Sequence, residues 1–124
     1  MAPDLAGIWT STYEYPSSSR GGTFTSEHQV TLTQDGNTVR VRSFGSPSRV
    51  MIDLEAMEVE DLVVLTGTWT EVTDPAGPYE GRRYHGGIQL LLSEDARRMS
   101  GAWIGHNRSL TSVNTGSWVL EQVT

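Results

Sequence analysis

At 124 residues, with 36% apolar and 19% charged residues and 13 Gly and 5 Pro spread along it, the chain fits one turn-rich globular domain with a single core, which excludes disorder and two-domain machinery. It has no Cys, so disulfides, a thiolate nucleophile and a Cys-based metal site are excluded; no apolar run approaches the ~18 residues of a membrane span and no Arg-rich leader is present, so a soluble cytoplasmic protein is expected. The net charge is −6 and all nine cations are Arg, a balance that argues against a duplex nucleic-acid footprint and makes the placement of each guanidinium matter.

Apolar and polar residues alternate with period two, and no long stretch keeps an i, i+3, i+4, i+7 stripe, so residues 1–124 read as one all-β domain. The first strand is expected at Leu5 to Tyr15, with Leu5, Gly7, Trp9, Ser11, Tyr13 and Tyr15 on one face. The second, Thr23 to Gln34, turns Phe24, Ser26, His28, Val30 and Leu32 to one side, and Asp35-Gly36-Asn37 supplies a tight hairpin because Gly and Asn tolerate positive φ. Strand three is Thr38 to Phe44 with Val39, Val41 and Ser43 inward, and strand four Arg49 to Ala56 with Val50, Ile52 and Leu54 inward. An acidic turn over Met57 to Asp61 leads to strand five, Leu62 to Val72; strands six, seven and eight follow at Arg82 to Leu92, Met99 to His106 and Asn114 to Val123.

The connections alternate in length. Those at Asp35 to Asn37, Met57 to Asp61 and Ser93 to Arg98 are short, whereas Pro16 to Gly22, Gly45 to Ser48, Thr73 to Gly81 and Asn107 to Val113 are longer or richer in Gly, Pro and Ser. In an up-and-down meander alternate connections lie at one end, which predicts an antiparallel barrel of about eight strands with a loop-lined mouth and a tightly turned closed end. A barrel of ~8 strands has room for its own side chains and one small ligand.

All four tryptophans occur as Gly-x-Trp: Gly7-Ile8-Trp9, Gly67-Thr68-Trp69, Gly101-Ala102-Trp103 and Gly116-Ser117-Trp118. Gly and Trp two apart share a face, so each Gly makes room beside an indole or lets the strand bend. Trp9 is expected in the core, and the other three are candidates for a cavity wall.

Gly7-Ile8-Trp9 on a first strand resembles the Gly-x-Trp signature of the calycins, the superfamily of lipocalins, fatty-acid binders and avidins. Asn114-Thr115-Gly116-Ser117-Trp118-Val119-Leu120 is similar to an avidin strand carrying Asn-Thr and Trp, with one extra residue between them, while Ser11 stands where avidins place Asn after the first Trp. In overall pattern the chain resembles small actinobacterial barrel domains that often follow a helix-turn-helix regulator. The matching segments are Leu5-Ala6-Gly7-Ile8-Trp9, Leu65 to Glu71, Tyr84 to Leu91 and Arg98 to Trp103. A more distant likeness is to the β-barrel receptors of anti-phage signalling, which bind cyclic dinucleotides. These resemblances imply a calycin/lipocalin-like barrel that senses or carries a small molecule, with a nucleotide-type signal as one class of guest and a regulatory protein as a further partner.

Arg20, Arg49, Arg82, Arg83 and Arg108 fall around the expected mouth, offset there by Asp74 and Glu80, and a cationic rim favours an anionic guest whatever the net charge. His28, His85 and His106 lie on separate strands without a ligand-spaced neighbour, so no metal or other cofactor is expected. Inward Glu71 with Tyr84 and His28 is a conceivable acid–base set, but a carboxylate paired to Arg82 is the simpler account, and the expectation is a binding module and not an enzyme. Tyr13, Trp69, Tyr84 and Trp103 are expected to stack on the ligand, His28 and Ser43 to hydrogen-bond it, and Arg82 and Arg108 to pair its charge. The alternative is a protein–protein interaction module whose barrel is filled by its own side chains.

Overall fold

The structure is a computed structural model, and it describes residues 3–16, 21–107 and 109–123. Eight strands follow the period-two segments: β1 (Gly7–Pro16), β2 (Thr23–Asp35), β3 (Thr38–Phe44), β4 (Arg49–Val59), β5 (Leu62–Val72), β6 (Arg83–Leu92), β7 (Arg98–His106) and β8 (Val113–Gln122). Each pairs antiparallel with its neighbours in chain order and β8 returns to β1, which closes an all-β up-and-down barrel. No helix occurs among the described residues, hence none long and apolar enough to cross a membrane.

The closed half is solid. Inward-facing Val30, Leu32, Val39, Val41, Ile52, Leu54, Leu65, Leu90, Met99 and Leu120 pack around Trp9, and all are buried. Burial of each such aliphatic side chain is worth about 1.5–3 kcal/mol, so this half holds the barrel together.

The chain ahead of β1 departs from expectation. Leu5 is not strand but stopper: it is fully buried, its N–H donates to Gln34 Oε1 at 2.8 Å, and its carbonyl accepts the Trp9 indole N–H at 2.9 Å. Gln34 also donates to the Pro3 carbonyl at 3.0 Å, tying the segment across the closed end. Strand geometry begins only at Gly7, whose φ of 136° lies where a side chain is rarely tolerated.

The acidic turn is also shorter than expected. Met57, Glu58 and Val59 continue β4, with Glu58 opposite Val63 and Val59 opposite Leu62. The reversal is made by Glu60-Asp61, with Glu60 in the left-handed region at φ 58°, the hand that suits a two-residue hairpin.

The seam that closes the barrel is short. β1 and β8 are registered from Trp9↔Gln122 to Tyr13↔Trp118. Beyond that rung the Glu14 carbonyl accepts the indole N–H of Trp103 at 2.8 Å, and the Glu14 carboxylate accepts the Ser117 hydroxyl at 2.8 Å. Side chains from β7 and β8 thus continue the closure where the backbone ladder stops. Gly116 makes room for the indole edge, since a Cβ there would stand 2.7 Å from Trp103 Nε1.

Candidate ligand-binding site

Above the solid half the barrel is open. A cavity of about 790 Å³ is lined by the inward faces of the strands and by residues of all four long connections, among them Gly22, Ser48, Tyr79 and Asn107. That volume lies within the ~300–1,000 Å³ typical of small-molecule sites. It opens at the end where the longer loops gather.

Strand register stacks the lining in layers. On β5 and β6, Trp69 faces Gly86, Glu71 faces Tyr84 one rung outward, and Thr73 faces Arg82 one rung further, where the Thr73 N–H still donates to the Arg82 carbonyl at 2.9 Å. Floor, middle and rim are therefore aromatic, carboxyl–phenol and hydroxyl–guanidinium.

The floor is an aromatic cluster. Trp69 meets Trp103 edge-on with ring centroids 5.4 Å apart, Trp118 lies 5.8 Å from Trp69, and Tyr13 stacks on Trp118 at 4.3 Å. Every cavity indole already donates its N–H to protein: Trp69 to the Ile104 carbonyl at 3.0 Å, Trp103 to Glu14 and Trp118 to Ser11 Oγ at 2.8 Å. These rings offer a guest π faces and apolar edges, but no donor. Gly105 keeps them close, because a Cβ there would stand 2.7 Å from the Trp69 ring.

In the middle layer the Tyr13 hydroxyl donates to Glu71 Oε2. Burial pushes the Glu71 carboxyl above its usual range, partly countered by that bond, and pushes the Tyr13 phenol far up, helped by the neighbouring carboxylate. The pairing of Glu71 with Arg82 expected from the sequence is thus replaced by Tyr13, which lies on β1, across the barrel. At the rim, Thr73 is 7% exposed and its hydroxyl oxygen has no partner. The half-buried Arg82 guanidinium likewise makes no ion pair among the described residues.

Of the residues expected to contact a ligand, Tyr13, Trp69, Arg82, Tyr84 and Trp103 line the cavity together. His28 sits behind Tyr13, its ring parallel at 6.0 Å, with Nε2 hydrogen-bonded to Ser48 Oγ at 2.8 Å. Ser43 Oγ accepts the Val50 N–H at 2.7 Å and fastens β3 to β4. Neither belongs to the lining: His28 is bonded to Ser48 of the β3–β4 connection and Ser43 to Val50 of β4. Arg108 and Arg20 lie outside the described residues. Arg49 and Arg83 are exposed, since each is one residue out of phase with inward Val50 and Tyr84. The described charges of the lining are Arg82 with Glu71, Asp74 and Glu80, a mixed set and not a plain cationic rim.

Several lining residues carried weaker signals. Tyr15, Ser26 and Trp118 follow from alternation alone, whereas Tyr79 sits on the loop after β5, where no periodicity exists to place it. No group of three or more potential metal ligands occurs among the described residues. The fold and cavity together define a closed eight-stranded barrel with an open, aromatic-floored upper half. No protein-family model matches the chain, and no curated protein matches it.

Proposed function

We propose that this barrel is a non-enzymatic small-molecule-binding module, a sensor or carrier, whose guest is planar, aromatic and acidic and enters through the loop-lined mouth. The observation that carries the reading is the contrast between halves: a solid aliphatic core below, and above it a cavity floored by Trp69, Trp103 and Trp118. Stability alone would favour filling that space, because close packing is the rule in interiors. The Gly7-Ile8-Trp9 resemblance to calycins supports the same role, and Arg82 supplies the charge that an acidic guest needs.

The interaction-module alternative, with a self-filled barrel, describes the closed half only. What favours a regulatory protein partner is a separate feature, the exposed Met57, Val59 and Leu62 at the β4–β5 turn. Such a partner would be additional to the cavity.

The test is titration of planar aromatic anions, read by tryptophan fluorescence and melting temperature. Arg82→Ala is expected to weaken binding by about 1.5–3 kcal/mol, the range for a hydrogen bond to a charged group, while Arg97→Ala at the closed end leaves affinity unchanged. Equal losses at both positions, or no response in a broad screen, would refute the reading.

A further inference from the structure

The aromatic floor cannot choose among flat guests, because its indole donors are all engaged within the protein. Choice therefore falls to the few polar groups of the layers above.

Glu71 is the innermost of them. It takes one hydrogen bond, from Tyr13 to Oε2, and Oε1 accepts none among the described residues. A carboxylate offers acceptors only, so a guest edge with two adjacent N–H groups fits it, forming parallel charge-assisted bonds. An arene without such donors would cover the carboxylate and leave it desolvated and unpaired, which costs more than the missing bond alone. That the fold already raises the Glu71 pKa by burial agrees with a group in want of donors.

One rung outward, about 7 Å along the strand, the character of the lining changes. There the Thr73 N–H donates to the Arg82 carbonyl at 2.9 Å, which brings the buried, unpartnered Thr73 hydroxyl and the Arg82 guanidinium to one level of the rim, with the Asp74 and Glu80 carboxylates also in the lining. From inside outward the lining reads an acceptor, then a mixed rim whose described cation is Arg82, between aromatic rings.

Resting on the proposal that the cavity is a ligand site, we infer that Glu71 selects its guest: a planar nitrogen heterocycle that presents adjacent N–H donors to the Glu71 carboxyl and an acidic substituent to Arg82 and Thr73. The Glu71 carboxyl and the Arg82 guanidinium thereby fix which end enters first.

Two probes of similar size separate this inference from the reading beneath it. Pterin-6-carboxylate carries an N–H/amino edge opposite a carboxylate, whereas 2-naphthoate has the carboxylate and no N–H. By isothermal titration at neutral pH, the wild type is expected to bind the pterin at least tenfold tighter. Glu71→Gln, which places an amide donor against the guest's donors, is expected to abolish that preference, weakening the pterin and relieving the cost that the naphthoate meets at the buried carboxylate. Arg82→Ala should weaken both probes alike. Should Glu71→Gln fail to fold, Glu71→Asp keeps the charge, shortens its reach and reads out the same ratio. Equal binding of the two probes, or a preference that survives the Glu71 variant, would overturn the inference and leave the binding barrel standing; binding of neither probe would overturn both.

Discussion

Glu71 and His28 border the same polar layer, yet burial moves them in opposite directions. Desolvation disfavours charge, so the Glu71 carboxyl titrates above its ordinary 4.5 and the His28 imidazole below its ordinary 6.5. Their contributions to stability therefore have opposite signs against pH. Protonated Glu71 suits the fold, so its contribution is fully present below 4.5 and is lost as pH rises through the raised value. Neutral His28 suits the fold, with Nδ1 buried and unpartnered, so its contribution is present above 6.5 and is lost as pH falls through the lowered value. Thermal melts of wild type, Glu71→Gln and His28→Gln between about pH 4.5 and 7.5 should display both slopes. Relative to wild type, Glu71→Gln is expected to gain most at neutral pH and His28→Gln to fare best at acid pH. Parallel curves for the three proteins would show that neither group is buried as described.

At the scale of elements, β3 and β5 match their expected bounds and the other six strands lie within a few residues, because period-two alternation is a direct consequence of one wet and one buried face. What alternation leaves out is what a side chain does once inward. Ser43 and Tyr13 both face the interior, but one ties β3 to β4 and the other lines the cavity, and that difference depends on the neighbouring strands. Leu5 obeyed the pattern and still left the strand, since Gln34 and Trp9 hold it across the closed end. The Gly-x-Trp repeat was legible as a spacing, but not in its several causes. At Gly101 a Cβ would collide with the Gln89 carbonyl at 1.9 Å, a close backbone approach, whereas at Gly116 it would also meet the Trp103 indole. Gly116→Ala is accordingly expected to displace that indole from Glu14 and cost about 1–3 kcal/mol, the range for overpacking. Urea unfolding measures the loss, and a shift in Trp103 emission marks its origin. An unchanged midpoint with unchanged emission would contradict the seam geometry.

For the whole molecule, the seams are unequal. β4 and β5 are registered over eleven residue pairs, but β3 and β4 and likewise β1 and β8 over five; of these two short seams only β1–β8 joins strands that no hairpin connection holds together, so the barrel is expected to open first between its first and last strands. Native-state hydrogen exchange should find the amides beyond the Tyr13–Trp118 rung the least protected of the barrel strands; protection there equal to that of β4–β5 would refute this. A consequence for connectivity follows from the same short seam. Pro3 is held by Gln34, and Val123 donates its N–H to the Ile8 carbonyl at 3.0 Å, so both ends of the described chain lie at the closed end, opposite the cavity. A linker joining them would turn the one seam without a chain connection into an ordinary hairpin, and fresh termini cut between Gly45 and Ser48 would then sit at the rim. Circular permutation of this kind is expected to reproduce the same barrel with its weakest closure moved from β1–β8 to β3–β4.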